Sequence, residues 1–153
     1  MTRLHVEELG ARILPSAGPV VHPVAPPHQV WAGHGTGGYA HELGIPEIGQ
    51  RYDLTGSATL AGLGRVTVKG SVESVGFVRH GHAWGTLLLT SSKGSVTLRL
   101  AGPEQDGFAA LPRRFAFAVA GGVGGYQHLG GHGTLQLILS PAVEEQGTFT
   151  LTI

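Results

Sequence analysis

The chain has 153 residues, which is the length of one ordinary domain and enough to bury a sizeable core. Charged residues make up 13% of it, against about 25% in an average soluble protein, and the ten basic residues balance the ten acidic ones. This balance excludes a strongly basic surface for nucleic acid or an anionic membrane, and the absence of cysteine excludes disulfides and thiolate chemistry.

Residues 1–49 are rich in proline and histidine and show no sustained alternation of apolar and polar residues. Six of the nine prolines and five of the nine histidines fall in this stretch. Such a composition is typical of loops. We therefore predict a leader and a loosely ordered arm over 1–49, followed by one domain over 50–153.

Alternation of apolar residues with threonines begins after Arg51 and is clearest near the end of the chain, where Phe149, Leu151 and Ile153 are separated by threonines. A period of two places the apolar side chains on one face of a strand. The strands predicted in this way are 66–68, 96–100 and 149–153, with less regular ones at 53–60, 72–78, 83–91, 115–120 and 134–139.

The connections between these strands are short and contain glycine, and no helical segment lies between them. Short connections join neighbouring antiparallel strands. We predict an all-β fold, a closed antiparallel barrel of about eight strands, because closure removes exposed strand edges. A β-sandwich is the alternative.

One connection, AGPEQDGFAALPRR at 101–114, is too long for a hairpin. Its apolar residues Phe108 and Leu111 either plug one end of the barrel or form a lid over a pocket, because an eight-stranded barrel holds either side chains or one small ligand.

The stretch GGVGGYQHLGGHGTLQLIL, from Gly121 to Leu139, has seven glycines in its first thirteen residues. Phosphate-binding loops of this kind lie between a strand and a helix, whereas apolar strand residues lie on both sides here. The glycines therefore indicate a tight turn at the barrel rim. Tyr126, His128 and His132 are either carried by this turn or face a pocket.

Histidine pairs give the sequence its weak candidates for a metal site. His80 and His82 share one face of a strand, and His128 and His132 are four residues apart. Neither spacing is specific without a third ligand, and each pair lies beside a glycine turn. We predict no metal site and no cofactor.

Five residues are candidates for contact with a ligand. Glu73 has an undecided face: inward it is a buried carboxylate with a raised pKa, and outward it pairs with Lys69 or Arg65. Aromatic residues on strands are most often core, but some line a pocket. The candidate ligand-binding residues are Glu73, Trp84, Phe108, Tyr126 and His128, and no catalytic residue is indicated.

The segment GGVGGYQHLGGHGTLQL resembles the GGTGxYxxAxGxGTxxL motif of allene oxide cyclase-like and dirigent-like barrels, above all their small bacterial members. SVTLRLAGPEQDGFAALPRRF and GTFTLTI also resemble strands and a loop of that family. The resemblance spans about 52–153 and implies an eight-stranded antiparallel barrel, and a trimer by analogy with the plant enzymes. No catalytic residue of the family matches a position in this chain.

A second resemblance concerns LHVEELGARILPSA, at 4–17, which is similar to the leader of many exported and cell-surface bacterial proteins. It implies that the protein is secreted or on the cell surface, and the alternative is a cytoplasmic location. No apolar run approaches the about 20 residues of a membrane span.

These observations favour an exported β-barrel that acts as a binding or structural module, with a hydrophobic small molecule as its partner. The alternative is a cyclase or isomerase that positions a hydrophobic substrate inside the barrel. An interior filled by side chains argues against that alternative. Self-association of barrels through their threonine-rich faces is a further prediction.

Overall fold

The computed structural model of the chain describes residues 31–42, 49–77, 80–103 and 111–153. The described residues form eight β-strands: β1 (Gly33–Glu42), β2 (Gln50–Leu60), β3 (Gly64–Phe77), β4 (His80–Ser91), β5 (Gly94–Ala101), β6 (Arg114–Gly124), β7 (His132–Leu139) and β8 (Gln146–Thr152).

Each strand pairs antiparallel with the next one, and β1 also pairs antiparallel with β8, so the eight strands form a closed ring. The predicted all-β antiparallel fold is confirmed. The odd-numbered strands β1, β3, β5 and β7 all end at one side of the ring, which we call the mouth. The opposite end, where β2, β4 and β6 finish, is the base.

The predicted boundary between an arm and a domain at residue 50 is wrong, because β1 lies inside the predicted arm. Gly33–Glu42 supplies the pairing with β2 and β8 that closes the ring. The inward positions Gly35 and Gly37 carry no side chain, so this strand lacks the apolar alternation that marks the others. The predicted leader lies in 1–30, outside the described residues.

The number of strands agrees with the prediction, but the set of strands differs. The predicted strand 66–68 and residues 72–77 of the predicted strand 72–78 are parts of the single 14-residue strand β3. Gly70, which separates them in the sequence, faces inward opposite Leu87 of β4. A Cβ there would lie 2.9 Å from Leu87 Cδ2, so the glycine makes room for leucine and does not mark a turn.

The interior of the ring is filled by apolar side chains, which alternate along the strands with residues that point outward. All the inward residues predicted from the alternation are buried: Val66, Val68, Val96, Leu98, Leu100, Leu135, Leu137, Phe149 and Leu151. The core continues through residues that the pattern did not single out, among them Leu54, Leu87, Leu89 and Phe115.

Glycines lie directly opposite large inward rings, which explains much of the glycine content of the ring. Phe149 faces Gly37, and Phe117 faces Gly133. A Cβ on Gly133 would come within 2.8 Å of the Phe117 ring. At these two positions the aromatic ring occupies the space that a side chain on the partner strand would need.

Aromatic side chains pack together at the base of the ring. Trp31 contacts Phe117 edge to face, with ring centroids 5.8 Å apart. Tyr126 is 8% exposed, and its hydroxyl lies 2.9 Å from Ser91 Oγ. The glycines Gly121 to Gly124 are the last residues of β6 and not a turn; the turn follows at 125–128.

Candidate functional site

A cleft of about 570 Å³ opens at the mouth of the ring, above the packed core. Its walls come from the end of β1, the start of β2, the end of β7 and the segments 111–113 and 140–142. The lining residues are Tyr39, His41, Tyr52, Leu111, Arg113, Leu137, Ile138, Leu139, Ser140, Pro141 and Ala142.

Three rings from β1 and β2 form one wall of this cleft. His41 and Tyr52 are direct partners across the β1–β2 pair, and their rings stack with centroids 4.4 Å apart and an angle of 5°. Tyr39, two residues before His41, therefore points to the same face and meets Tyr52 edge to face at 5.7 Å. The stacking holds the imidazole of His41 in one orientation.

Both tyrosine hydroxyls of this wall already have acceptors. The hydroxyl of Tyr39 donates to the carbonyl oxygen of Ser140, and that of Tyr52 donates to Gln50 Oε1 at 2.7 Å. Burial raises the pKa of the Tyr52 hydroxyl above its ordinary value, and the neighbouring Tyr39 raises that pKa further. Both phenols are therefore anchored by hydrogen bonds to the protein.

Two polar side chains of the cleft have no hydrogen-bond or ion-pair partner within the part of the chain that the structure describes. His41 Nε2 is shielded from solvent and has no hydrogen bond in the described structure, although a buried imidazole nitrogen normally has one. Arg113 is exposed, and the ion pairs of the described residues do not include it. The cleft thus offers an apolar surface with an unpaired imidazole nitrogen and an unpaired guanidinium.

Two of the predicted ligand-binding residues lie on the outer wall of the ring and not at the cleft. Glu73 and Trp84 are direct partners across the β3–β4 pair. Glu73 Oε1 accepts from Arg51 Nη1 at 3.3 Å, so Glu73 points outward and pairs with Arg51, not with Lys69 or Arg65. Trp84 is 42% exposed. An inward, buried Glu73 is therefore excluded.

The remaining predicted ligand-binding residues lie in three different places. Tyr126 is buried in the base, at the opposite end of the ring from the cleft, and His128 is exposed in the turn that follows it. Phe108 lies outside the described residues. Leu111, from the same long connection as Phe108, does line the cleft.

The two histidine pairs lie at opposite ends of the ring and do not form one site. His80 and His82 begin β4 at the mouth, whereas His128 and His132 precede and begin β7 at the base. No group of three or more potential metal ligands occurs within the described ranges of the chain.

The site residues that sequence reasoning missed are Tyr39, His41, Tyr52 and Arg113. Tyr39 and His41 were assigned to the predicted arm, although their spacing of two residues is a strand signal. Arg113 follows Pro112 at the end of the long connection, where nothing in the sequence shows which end of the ring it reaches.

Comparisons with protein-family models, with curated proteins and with solved structures gave no match. Within the described ranges, the chain also contains no helix with the length and apolar character needed to cross a membrane.

Proposed function

We propose that the protein is a binding module that holds a small, largely apolar molecule in the cleft at its mouth. The observation that carries this proposal is the cleft of about 570 Å³ lined by stacked aromatic rings and leucines. Small-molecule sites usually measure about 300–1,000 Å³ and combine apolar walls with a few polar groups. Leu111, Leu137 and Leu139 supply further apolar lining.

The packing of the ring supports the mouth as the binding position. The described interior is occupied by leucine, valine and phenylalanine side chains that are almost completely buried. A ligand at the centre would have to displace these side chains, which costs several kcal/mol, about as much as removing one large core side chain. The mouth accepts a ligand without that cost.

Backbone amide chemical shifts test the proposal directly. Indole, benzyl alcohol and 3-phenylpropanol are titrated separately into the full chain at millimolar concentration. We expect saturable shift changes at Tyr39, His41 and Ser140, because these residues line the cleft, and no comparable changes at residues of the base such as Tyr126.

A blocking variant and a matched control sharpen this test. Ala142→Trp places a large ring at the cleft and is expected to weaken binding of all three probes, whereas Ala118→Trp adds the same ring on the outer wall and should leave binding unchanged. Shift changes that are absent, or that spread equally over the mouth and the base, would overturn the proposed function.

The two sequence resemblances support further proposals. The motif over 121–137 supports an allene oxide cyclase-like or dirigent-like barrel, and the leader over 4–17 supports export. A fusion of residues 1–49 to a reporter enzyme that is active only outside the cytoplasm tests export: an inactive reporter contradicts it. The cyclase or isomerase alternative and the trimer stay predictions.

A further inference from the structure

The hydrogen-bonding groups of the mouth cleft differ in whether they are already paired. Among the described lining residues, the hydroxyls of Tyr39 and Tyr52 donate hydrogen bonds to protein acceptors. The guanidinium of Arg113 and Nε2 of His41 are not paired. A ligand that enters the cleft therefore meets two free polar groups, both from nitrogen-bearing side chains.

The charge of the described lining is of one sign. Arg113 is its single permanently charged residue, and no aspartate or glutamate is among the described lining residues. A planar guanidinium presents parallel N–H groups that match the two oxygens of a carboxylate. An ammonium ligand would meet a like charge there and no described counter-ion.

His41 adds a second group that a ligand oxygen can satisfy. Its Nε2 is shielded from water, and a shielded polar atom without a partner is destabilising. The stacking of its ring on Tyr52 at 4.4 Å keeps the imidazole at the cleft wall. A hydrogen bond donated by the Nε2–H group to a ligand oxygen removes this destabilisation, whereas a wholly apolar ligand leaves it in place.

The body of the ligand must suit the leucines and rings between these polar groups. Leu111, Leu137 and Leu139 form an apolar wall, and Tyr39 and Tyr52 present ring edges and faces. Aromatic rings pack well against such surfaces, in edge-to-face or offset geometry.

We infer that the mouth cleft selects aromatic carboxylates: the carboxylate pairs with Arg113 and His41, and the aromatic ring packs against the leucines and tyrosines. This inference rests on the proposed function, since it names the ligand class of the same site. It adds a preference for an acid over an uncharged molecule of the same shape.

Isothermal titration with a matched pair of probes tests the inference on the full chain. The probes are 3-phenylpropanoate and 3-phenylpropanamide, which share the ring and the linker and differ in charge. We expect the acid to bind about tenfold more tightly than the amide at neutral pH, because hydrogen bonds between two charged groups are stronger than those to a neutral amide.

Three variants assign this preference to the named groups. Arg113→Gln is expected to remove the preference for the acid while binding of the amide persists. His41→Phe keeps an aromatic ring at the wall and is expected to reduce the preference. Arg99→Gln removes an exposed arginine from the outer wall and should leave both affinities unchanged.

The outcomes separate this inference from the proposed function. Equal binding of acid and amide, or an acid preference that survives Arg113→Gln, overturns the inference and leaves the binding module intact. Failure of both probes to bind, together with the absence of shift changes from the neutral probes, overturns both. Loss of the preference in Arg99→Gln as well as in Arg113→Gln assigns it to net charge and also overturns the inference.

Discussion

The ring of Phe149 lies directly against Gly37, its partner across the β1–β8 pair, so that a Cβ on Gly37 would come within 2.7 Å of Phe149 Cε1. The same Cβ would lie 2.5 Å from the Cα of Gly56 on β2. Real Cβ atoms do not approach other atoms this closely, so any side chain at position 37 must displace the ring or the neighbouring backbone.

The variant Gly37→Ala is therefore expected to destabilise the protein by about 1–3 kcal/mol, the usual cost of overpacking a core. Urea unfolding followed by circular dichroism measures the change. Gly38→Ala is the matched control on the same strand, because its Cβ would meet only the carbonyl oxygen of Gly147, at 3.6 Å. Equal destabilisation by the two variants would contradict the packing argument.

The same glycine pairs explain which strands were predictable from the sequence. In β5 and β8 the inward positions carry valine, leucine or phenylalanine, so the alternation is visible. In β1 the inward positions Gly35 and Gly37 are empty because the large side chain is on the partner strand. A glycine on one strand and a large side chain on its partner fill the interior together. This match involves two segments that are distant in the sequence, so the pattern within one strand does not predict it.

The candidate site was less predictable than the fold, for a related reason. Alternation shows that two residues share a face of a strand. It does not show which face is inward when apolar residues occur on both faces, as they do around Glu73, where Val72 and Val75 lie on opposite faces. The wall made by His41 and Tyr52 depends on the register of the β1–β2 pair, and the predicted arm left this pair out. Once β1 is recognised, the parity of Tyr39 and His41 follows directly.

A shortened chain tests the role of β1 in closing the ring. We expect residues 50–153, the predicted domain, to lose cooperative unfolding and to self-associate, because removing β1 leaves β2 and β8 with unpaired edges. Light scattering and thermal unfolding of this chain beside the full chain measure the effect. A monomeric 50–153 chain with unchanged cooperative unfolding would show that β1 is dispensable.

The turn between β7 and β8 places two glutamates in the left-handed region, with φ of 51° at Glu144 and 66° at Glu145. This conformation costs about 1–2 kcal/mol for a residue with a side chain, whereas glycine adopts it readily. Glycine also raises the conformational entropy of the unfolded chain, which offsets part of this gain. Glu145→Gly is therefore expected to stabilise the protein by a net amount of about 0.5–1 kcal/mol.

The neighbouring Gln146 provides the control for this turn. It begins β8 with ordinary strand geometry, so Gln146→Gly relieves no strain and is expected to destabilise by about 0.5–1 kcal/mol. Unfolding by urea compares the two variants. A loss of stability in Glu145→Gly equal to that in Gln146→Gly would mean that the left-handed turn stores no strain.

In the base, the hydroxyl of Tyr126 lies 2.9 Å from Ser91 Oγ, and both groups are at least partly buried. Tyr126→Phe is expected to cost about 0.5–1.5 kcal/mol, the net contribution of one such hydrogen bond. The variant should leave the amide shifts of the mouth cleft unchanged, because the base lies at the opposite end of the ring. Loss of probe binding in Tyr126→Phe would instead place a ligand contact in the base.

The raised pKa of Tyr52 makes the free energy of unfolding depend on pH in the alkaline range. Because burial holds the proton on the folded hydroxyl, the unfolded chain releases its proton first as the pH rises above about 10, the ordinary tyrosine value. The stability linked to this group is complete below that pH and is lost as the pH rises through the folded pKa. We expect the urea midpoint of the wild type to fall over this pH range. The urea midpoint of Tyr52→Phe is expected to fall less.

Other groups of a protein also ionise at alkaline pH, so the comparison of the wild type with Tyr52→Phe carries the argument. The variant loses the hydrogen bond to Gln50 and is expected to be less stable at neutral pH. Its stability should nevertheless decline less steeply above about pH 10, and ultraviolet titration should show the loss of a tyrosine ionisation that lies above the ordinary value in the wild type. Parallel curves for the two proteins would mean that burial does not hold the Tyr52 proton, and that the cleft wall is open to water at this position.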